Sequence, residues 1–315
     1  MRLPELRIGQ LVAKVPIMQG GMAIRLSTAR LAAAVAEEGG IGLIAASGMT
    51  FDELRHEIRL ARSLTKGIIG INIMVAARQF AGIVHTAIDE GIDLVVAGAG
   101  FSRDVFGMGR ESGTPIVPMV SSVKAAKISE KLGASAVVVE GREAGGHLGT
   151  NQSVRTILPD IVKAVKIPAL GAGGVISGQD ICEILKLGGA GVQMGSRFAA
   201  SEESNAAPAL KEFYLKAKAE DVVVIKSPVG LPGQAIRNPF VEKILEGTQP
   251  APDFCGACLK HCSQSFCIIS ALIRAQQGDV ETGLVFTGQD IHKIDEILSV
   301  KEIFTRLINE AEKIQ

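Results

Sequence analysis

Residues 167–196 read IPALGAGGVISGQDICEILKLGGAGVQMGS and contain two consecutive strand–helix units. Short apolar runs at Ile167–Leu170 and Ala190–Met194 each lead into a glycine-rich turn, and a helical pattern over Gln179–Leu187 lies between them. Glycine-rich turns after the seventh and eighth strands are where (β/α)₈ barrel enzymes commonly build a phosphate site. The stretch therefore favours a barrel over an open sheet.

The same alternation extends back towards the start of the sequence. Capped or amphipathic helical patterns, such as Thr50–Leu64 and Val123–Leu132, separate short apolar runs bounded by Gly or Pro, which are typical of buried parallel strands. The six earlier runs are Val15–Met18, Ile41–Ala45, Ile68–Met74, Asp93–Ala97, Pro115–Met119 and Ala136–Glu140. Eight units predict an α/β protein with a closed (β/α)₈ TIM barrel.

An open doubly wound sheet is the alternative fold. It requires a Gly-x-Gly-x-x-Gly turn after the first strand, but the sequence has Gln19-Gly20-Gly21-Met22 there. After Ala219 the alternation stops, and a proline-rich stretch, a cysteine-rich window and helical patterns near 268–277 and 299–313 follow. We predict a barrel over residues 1–220 and a mostly helical, cysteine-containing C-terminal appendage over residues 221–315, packed on the barrel.

Composition excludes several classes of partner. Lys and Arg total 33 and Asp and Glu total 33, so the chain lacks the basic surface that nucleic-acid binding needs. The first residues lack the features of a secretory signal, and no apolar stretch reaches the roughly 18 residues that a membrane span needs. We expect a cytoplasmic protein that binds neither nucleic acid nor membrane.

The densest candidate for chemistry is EGREAGGHLG, residues 140–149, at the carboxyl end of the sixth predicted strand. Its glycines let the backbone approach a ligand closely, and His147 could donate or accept a proton near neutral pH. A glycine-rich turn with an incidental histidine is the simpler explanation. The location at the catalytic end of a barrel favours an active site.

A second candidate is the pair of late glycine turns, Gly171–Gly174 and Gly195-Ser196. Backbone N–H groups and a following helix N-terminus suit a phosphate. A phosphate held there would leave the rest of a cofactor over the barrel mouth, within reach of Asn72 and of Gln19–Met22. Flavin mononucleotide (FMN) fits that placement.

Five motifs together resemble the nitronate monooxygenase family, formerly called 2-nitropropane dioxygenases, which includes the FMN-dependent enoyl-acyl carrier protein reductase II enzymes. The resemblance covers about residues 10–240. The motifs are PIMQGGM (16–22), GINIMV (70–75), EGREAGGHLG (140–149), GAGGV (171–175) and QMGSRF (193–198).

The resemblance implies an FMN-binding (β/α)₈ barrel, a small-molecule substrate and a homodimer. His147 matches the family's active-site histidine. Two positions depart from the common pattern, with Glu140 where many members have Gln and Ser196 where Thr is usual. The implied FMN contacts are Gly20, Gly21, Met22, Asn72, Glu140, Gly145, Gly173, Gly174, Gln193, Met194, Gly195 and Ser196.

A cysteine window lies outside these motifs, at Cys255, Cys258, Cys262 and Cys267. Four thiolates at short spacing can close around one metal centre, because soft sulfur ligands select zinc or iron–sulfur clusters. The uneven spacing favours a [4Fe–4S] cluster over zinc, which usually takes paired C-x2-C units. Free thiols are the alternative, and the resemblance says nothing about this window.

The leading functional hypothesis is oxidation of nitronates or nitroalkanes by flavin and O₂. The alternative is an NAD(P)H-dependent enoyl-acyl carrier protein or enoyl-CoA reductase, or a related anaerobic flavin reductase that uses the metal centre. Two further hypotheses are a non-catalytic flavin or metal-binding module that docks to a redox partner, and a phosphate-binding isomerase or aldolase barrel without flavin.

Overall fold

A hairpin covers the amino-terminal end of the barrel in the computed structural model, which describes residues 2–22 and 24–314. Strands β1 (Leu6–Ile8) and β2 (Leu11–Ala13) pair antiparallel, and their turn at Gly9 lies next to Pro115 and Ser135, which precede two barrel strands. Leu6, Ile8 and Ala13 are buried against the barrel interior. The sequence analysis did not predict this hairpin.

Parallel strands form a closed barrel in the described residues, in the order β10-β11-β3-β4-β5-β6-β7-β8. Each coincides with one of the predicted apolar runs, so the predicted (β/α)₈ barrel is confirmed. A further short strand, β9 (Gly146–His147), lies outside the barrel. The barrel strands are β3 (Ile17–Gln19), β4 (Ile41–Ala45), β5 (Ile68–Met74), β6 (Leu94–Gly98), β7 (Ile116–Val120), β8 (Val137–Glu140), β10 (Ala169–Ala172) and β11 (Gly191–Met194).

Outer helices cover the strands and bury their apolar faces. Thr50 caps α2 as predicted: its hydroxyl accepts from Glu53 N–H at 3.2 Å, and the Glu53 carboxylate accepts from Thr50 N–H. These helices are α1 (Ala29–Glu37), α2 (Phe51–Leu64), α3 (Phe80–Asp89), α4 (Asp104–Ser112), α5 (Val123–Leu132), α6 (Val154–Ala164) and α7 (Gly178–Lys186). In the described part of the chain, no helix is long and apolar enough to cross a membrane.

The C-terminal part of the chain completes the outer ring. Helix α8 (Ser196–Ala199), after the last barrel strand, has only one turn, and the ring position beside α7 and α1 is filled by α12 (Val300–Glu312). Glu310 on α12 accepts a hydrogen bond from the amide of Gly178, at the start of α7, at 2.7 Å. The division at residue 220 stays a prediction, and the segment beyond it contributes the helix that the eighth unit lacks.

Other C-terminal elements reach the carboxyl end of the barrel. Strand β13 (Pro232–Ile236) pairs with β12 (Val222–Lys226) and also with β9, where Gly233 lies opposite His147. The remaining helices are α9 (Pro208–Lys216), α10 (Pro239–Glu246) and α11 (Ile268–Gln276). The loop after β8 is therefore held by residues almost ninety positions later in the chain.

Candidate active site

The carboxyl ends of the barrel strands enclose one cavity that contains the predicted flavin-site residues. All twelve implied FMN contacts and His147 line it, although they come from five separate segments of the sequence. Parallel strands bring these segments together because their carboxyl ends meet at the same face of the barrel. The roles of these residues in binding or catalysis remain predictions.

Close approach of backbone segments explains two of the glycines. A Cβ atom on Gly21 would lie 2.1 Å from the Cβ of Asn72, which is far inside van der Waals contact. Gly173 has a φ of +111°, and a Cβ there would lie 2.8 Å from the backbone nitrogen of Ala144. Only glycine lets these loops meet, and the backbone itself forms much of the cavity wall.

The structure contains an unpaired acceptor suited to a flavin. In the described residues, Gln193 Oε1 is buried beside the cavity without a hydrogen-bond partner. A buried amide oxygen without a partner costs free energy, and a ligand N–H would satisfy it. Together with the glycine-lined wall, this acceptor indicates that the residues present fit FMN.

The end of the cavity near the late glycine turns carries hydroxyl groups. The Ser196 hydroxyl accepts from the Gly288 amide at 2.9 Å and lies 3.5 Å from the Thr287 hydroxyl. A Cβ on Gly195 would meet only Met22, at 3.9 Å, so this turn faces open space. Amide and hydroxyl donors around open space suit a phosphate.

His147 lies in the cavity wall and is fixed from two sides. Its Nε2 is 2.8 Å from the Ser227 hydroxyl, and its ring packs edge-on against Phe286 with centroids 5.3 Å apart. Within the described residues, Nδ1 has no hydrogen-bond partner. The ring is therefore oriented by the C-terminal segment, with one nitrogen available to a ligand.

Burial changes the expected chemistry of this histidine. Desolvation lowers the pKa of His147 to about 4, so the ring is neutral at pH 7. The sequence analysis proposed that this ring could donate or accept a proton near neutral pH, and burial makes it a neutral hydrogen-bonding group at that pH. A neutral ring can orient a substrate or accept a proton, but it is not a ready cationic acid at pH 7.

Glu140 is the last residue of β8 and faces the cavity. Desolvation raises the pKa of this carboxyl to about 8, and no cation contributes to the shift. At pH 7 the side chain is therefore mostly a neutral carboxylic acid, with the size and polarity of the glutamine that many family members have. Having Glu in place of Gln therefore adds little negative charge to the cavity until the pH rises through 8.

This titration gives a testable pH dependence. Because FMN is an anion, we expect it to bind preferentially when Glu140 is protonated, so its dissociation constant should rise about tenfold between pH 7 and pH 9. The Glu140→Gln variant should lose this rise. Equilibrium titration of flavin-free protein by flavin fluorescence measures both curves, and equal pH dependence in the two proteins would contradict the assignment.

Sequence analysis missed the residues of the C-terminal segment that line the cavity or contact its lining. Ser227, Phe286, Thr287 and Gly288 all contact predicted site residues. The stretch SPVGLPG, residues 227–233, indicates a turn, but no local pattern shows which part of the barrel that turn meets. A side of the cavity formed by Ile24, Ile268, Ile269 and Leu272 was missed for the same reason.

The cysteine window forms a loop beside the barrel mouth. Cys255, Cys258 and Cys262 are exposed, Cys267 is half-buried, and all four are free thiols. Partial burial raises the pKa of Cys258, and the nearby thiolates of Cys267, Cys262 and Cys255 raise it further. Among residues 2–22 and 24–314, no three His, Cys, Asp or Glu side chains converge as a ready metal site. The metal centre remains a proposal.

Known proteins share this fold over most of the chain. FabK from Thermotoga maritima is 35% identical, with a TM-score of 0.87 over 96% of this chain and 94% of that one. A nitroalkane oxidase from Streptomyces ansochromogenes is 25% identical, with a TM-score of 0.81 over 96% of both chains. An indene-carboxyl-CoA dehydrogenase from Mycobacterium tuberculosis is 32% identical over 237 residues, which are 74% of this chain and 66% of that relative.

The sequence profile described as nitronate monooxygenase matches residues 5–90 and 76–310, which is nearly the whole chain. The matched region contains the flavin-site motifs and also the C-terminal segment that holds His147. With the closed barrel and the glycine-lined cavity, this match establishes that the chain belongs to the nitronate monooxygenase family, a family of FMN-dependent oxidoreductases.

Proposed function

We propose that this protein is an oxidoreductase that binds FMN at the carboxyl end of its barrel. The observation that carries this proposal is the convergence of twelve predicted flavin contacts and His147 on one cavity. FMN, when bound, supplies hydride transfer between a donor and an acceptor. The phosphate would lie near Gly173, Gly174 and Ser196, and the buried Gln193 acceptor would serve the flavin ring.

The substrate that we favour is an α,β-unsaturated acyl thioester, reduced at the expense of NAD(P)H. An apolar side of the cavity, formed by Ile24, Ile268, Ile269 and Leu272, suits an acyl chain better than a small nitronate. Similarity to FabK, an enoyl-acyl carrier protein reductase, and to a dehydrogenase of a CoA thioester supports the same class. In the balanced reaction, the β-carbon gains the hydride that NAD(P)H loses, the α-carbon gains a proton from solvent, and NAD(P)⁺ is released.

The chain's own residues would position this substrate. With Nε2 held by Ser227, Nδ1 is the ring nitrogen that can hydrogen-bond to a substrate carbonyl. The neutral ring avoids the cost of burying a second charge beside the cofactor. Phe286 excludes water from one edge of the ring and limits its rotation.

Nitronate oxidation by O₂ is the second candidate, and it is the activity favoured by sequence analysis. The match to the family profile and the similarity to a nitroalkane oxidase support it. A neutral histidine with one available nitrogen also suits an anionic nitronate oxygen. A small nitronate would leave most of the apolar side of the cavity without a contact.

Anaerobic visible spectroscopy of the flavin-loaded protein distinguishes the two. We expect NADH or NADPH to bleach the flavin band and crotonyl-CoA, a model enoyl thioester, to restore it. Bleaching by a nitronate alone, followed by recovery in air, would instead assign nitronate oxidation. A purified protein that binds no flavin would contradict both assignments.

Cellular context and assembly also remain proposals. The free thiols agree with a reducing compartment, and we propose a cytoplasmic enzyme. The homodimer implied by the family resemblance stays a prediction.

A further inference from the structure

The cysteine loop is anchored to the barrel mouth by its backbone. The amide of Arg78 donates to the carbonyl of Cys258 at 2.9 Å, and the amide of Lys260 donates to the carbonyl of Ala76 at 2.9 Å. The Lys260 ammonium also donates to the carbonyl of Val75 at 2.8 Å. These partners directly follow β5, the strand that places Asn72 in the cavity.

Buried apolar side chains hold the loop at two further points. Leu259 follows Cys258, Phe266 precedes Cys267, and both are almost fully buried, at 3% and 2% exposure. They pack in the core that also contains Ile268 of α11. Two of the four cysteines, Cys258 and Cys267, are therefore next to fixed positions.

The two remaining cysteines contact the same residue. The backbone nitrogen of Gln264 is 3.4 Å from Cys262 Sγ, and its side-chain nitrogen is 3.9 Å from Cys255 Sγ. Gln264 therefore links the two cysteines across the loop, although they are seven positions apart in the sequence.

Exposed reduced thiols are prone to oxidation. A cluster of them on the surface therefore indicates a function for the thiols. Four of the five cysteines in this chain lie between residues 255 and 267, while Cys182 is buried elsewhere. A concentration of thiols on one anchored loop matches the ligand chemistry of soft metals.

We propose that Cys255, Cys258, Cys262 and Cys267 bind one thiophilic metal centre, either Zn²⁺ or a [4Fe–4S] cluster, at the edge of the barrel mouth. Four cysteine thiolates can hold either centre, and binding releases the thiol protons to solvent. Among residues 2–22 and 24–314 the four sulfurs do not converge as a ready site, so metal binding requires the loop to rearrange between its fixed points at Leu259 and Phe266.

The position of this centre connects it to the cavity. Cys267 is the residue before α11, and Ile268, Ile269 and Leu272 of that helix line the cavity. Metal binding would fix the start of the helix and with it the apolar side of the cavity. This inference does not depend on which substrate the enzyme uses.

Metal analysis tests the proposal without any activity assay. We expect anaerobically purified wild-type protein to contain about one zinc per chain, or about four iron and four sulfide per chain. Zinc, iron and acid-labile sulfide are measured on the same sample. Metal-depleted protein is then incubated either with Zn²⁺ or with Fe²⁺ and sulfide, which distinguishes the two kinds of centre.

Two variants distinguish loss of metal from the proposed site from a general effect of removing a cysteine. Cys258→Ser should lose at least tenfold in metal content, whereas Cys182→Ser, which removes the buried thiol outside the loop, should keep the wild-type content. If Cys258→Ser fails to fold, as judged by circular dichroism, the exposed Cys262→Ser variant replaces it. Wild-type protein below about 0.1 metal centres per chain after both incubations, or equal metal in the loop variants and wild type, would overturn the proposal.

Discussion

Replacing His147 with alanine is expected to lower turnover by about 10²–10³-fold, the usual cost of removing one positioned hydrogen-bond donor to a reacting oxygen. FMN content should remain that of the wild type, because the glycine-lined wall and Gln193 do not depend on the imidazole. Stopped-flow measurement of flavin reduction and reoxidation, together with the absorbance ratio of flavin to protein, checks both parts. A variant with wild-type turnover would remove His147 from the mechanism.

Ser227→Ala is the comparison that tests how His147 is held. The hydroxyl contacts Nε2 at 2.8 Å, so its loss should leave the imidazole present but poorly oriented. We expect a smaller decrease in kcat, about tenfold, from the loss of one hydrogen bond. If the two variants were equally impaired, the hydroxyl itself would have a direct role with the substrate.

The Gly21→Ala substitution is expected to weaken FMN binding by roughly 10–100-fold. The added methyl group would lie 2.1 Å from the Cβ of Asn72, whose position is set by the backbone of β5, so the loop or the strand must shift at the cavity wall. Overpacking of this kind costs about 1–3 kcal/mol, and each 1.4 kcal/mol is about tenfold in affinity. Isothermal titration of flavin-free protein measures the change.

Gly107→Ala provides the matched control. Gly107 lies within α4, where an added Cβ would meet only Arg110, at 3.9 Å. Here alanine should leave FMN affinity unchanged and raise the free energy of unfolding by about 0.5–1 kcal/mol, because glycine is unfavourable inside helices. Equal FMN affinity in Gly21→Ala and Gly107→Ala would show that the Gly21–Asn72 approach is not needed for the site.

Local sequence patterns predicted the barrel well because each strand–helix unit is encoded within about thirty residues. The runs at Ile41–Ala45 and Ile68–Met74 match β4 and β5 at both ends. The capping box at Thr50 and Glu53 fixes where α2 begins. Buried parallel strands need continuous apolar residues and helices need caps, and both requirements can be read locally.

The sequence also predicted residues that line the cavity, but it did not predict their protonation states. Position at the end of a barrel strand identifies Glu140 and places His147 in the loop that follows. Their pKa values of about 8 and about 4 depend on burial by surrounding segments, which no local pattern reports. Local patterns therefore predicted where these two side chains lie but not their protonation states.

Local patterns in the sequence were enough to predict the closed barrel, the face that carries the site and the family of flavin enzymes to which the chain belongs. Three features became visible only in the folded chain: Ser227 and Phe286 orient His147, α12 fills the eighth outer position, and the cysteine loop lies beside the strand of Asn72. The physical reason is the distance along the sequence over which each kind of interaction acts. Periodicity, caps and glycine turns act between near neighbours, whereas a contact such as Ser227 with His147 joins residues eighty positions apart and exists only after the chain has packed.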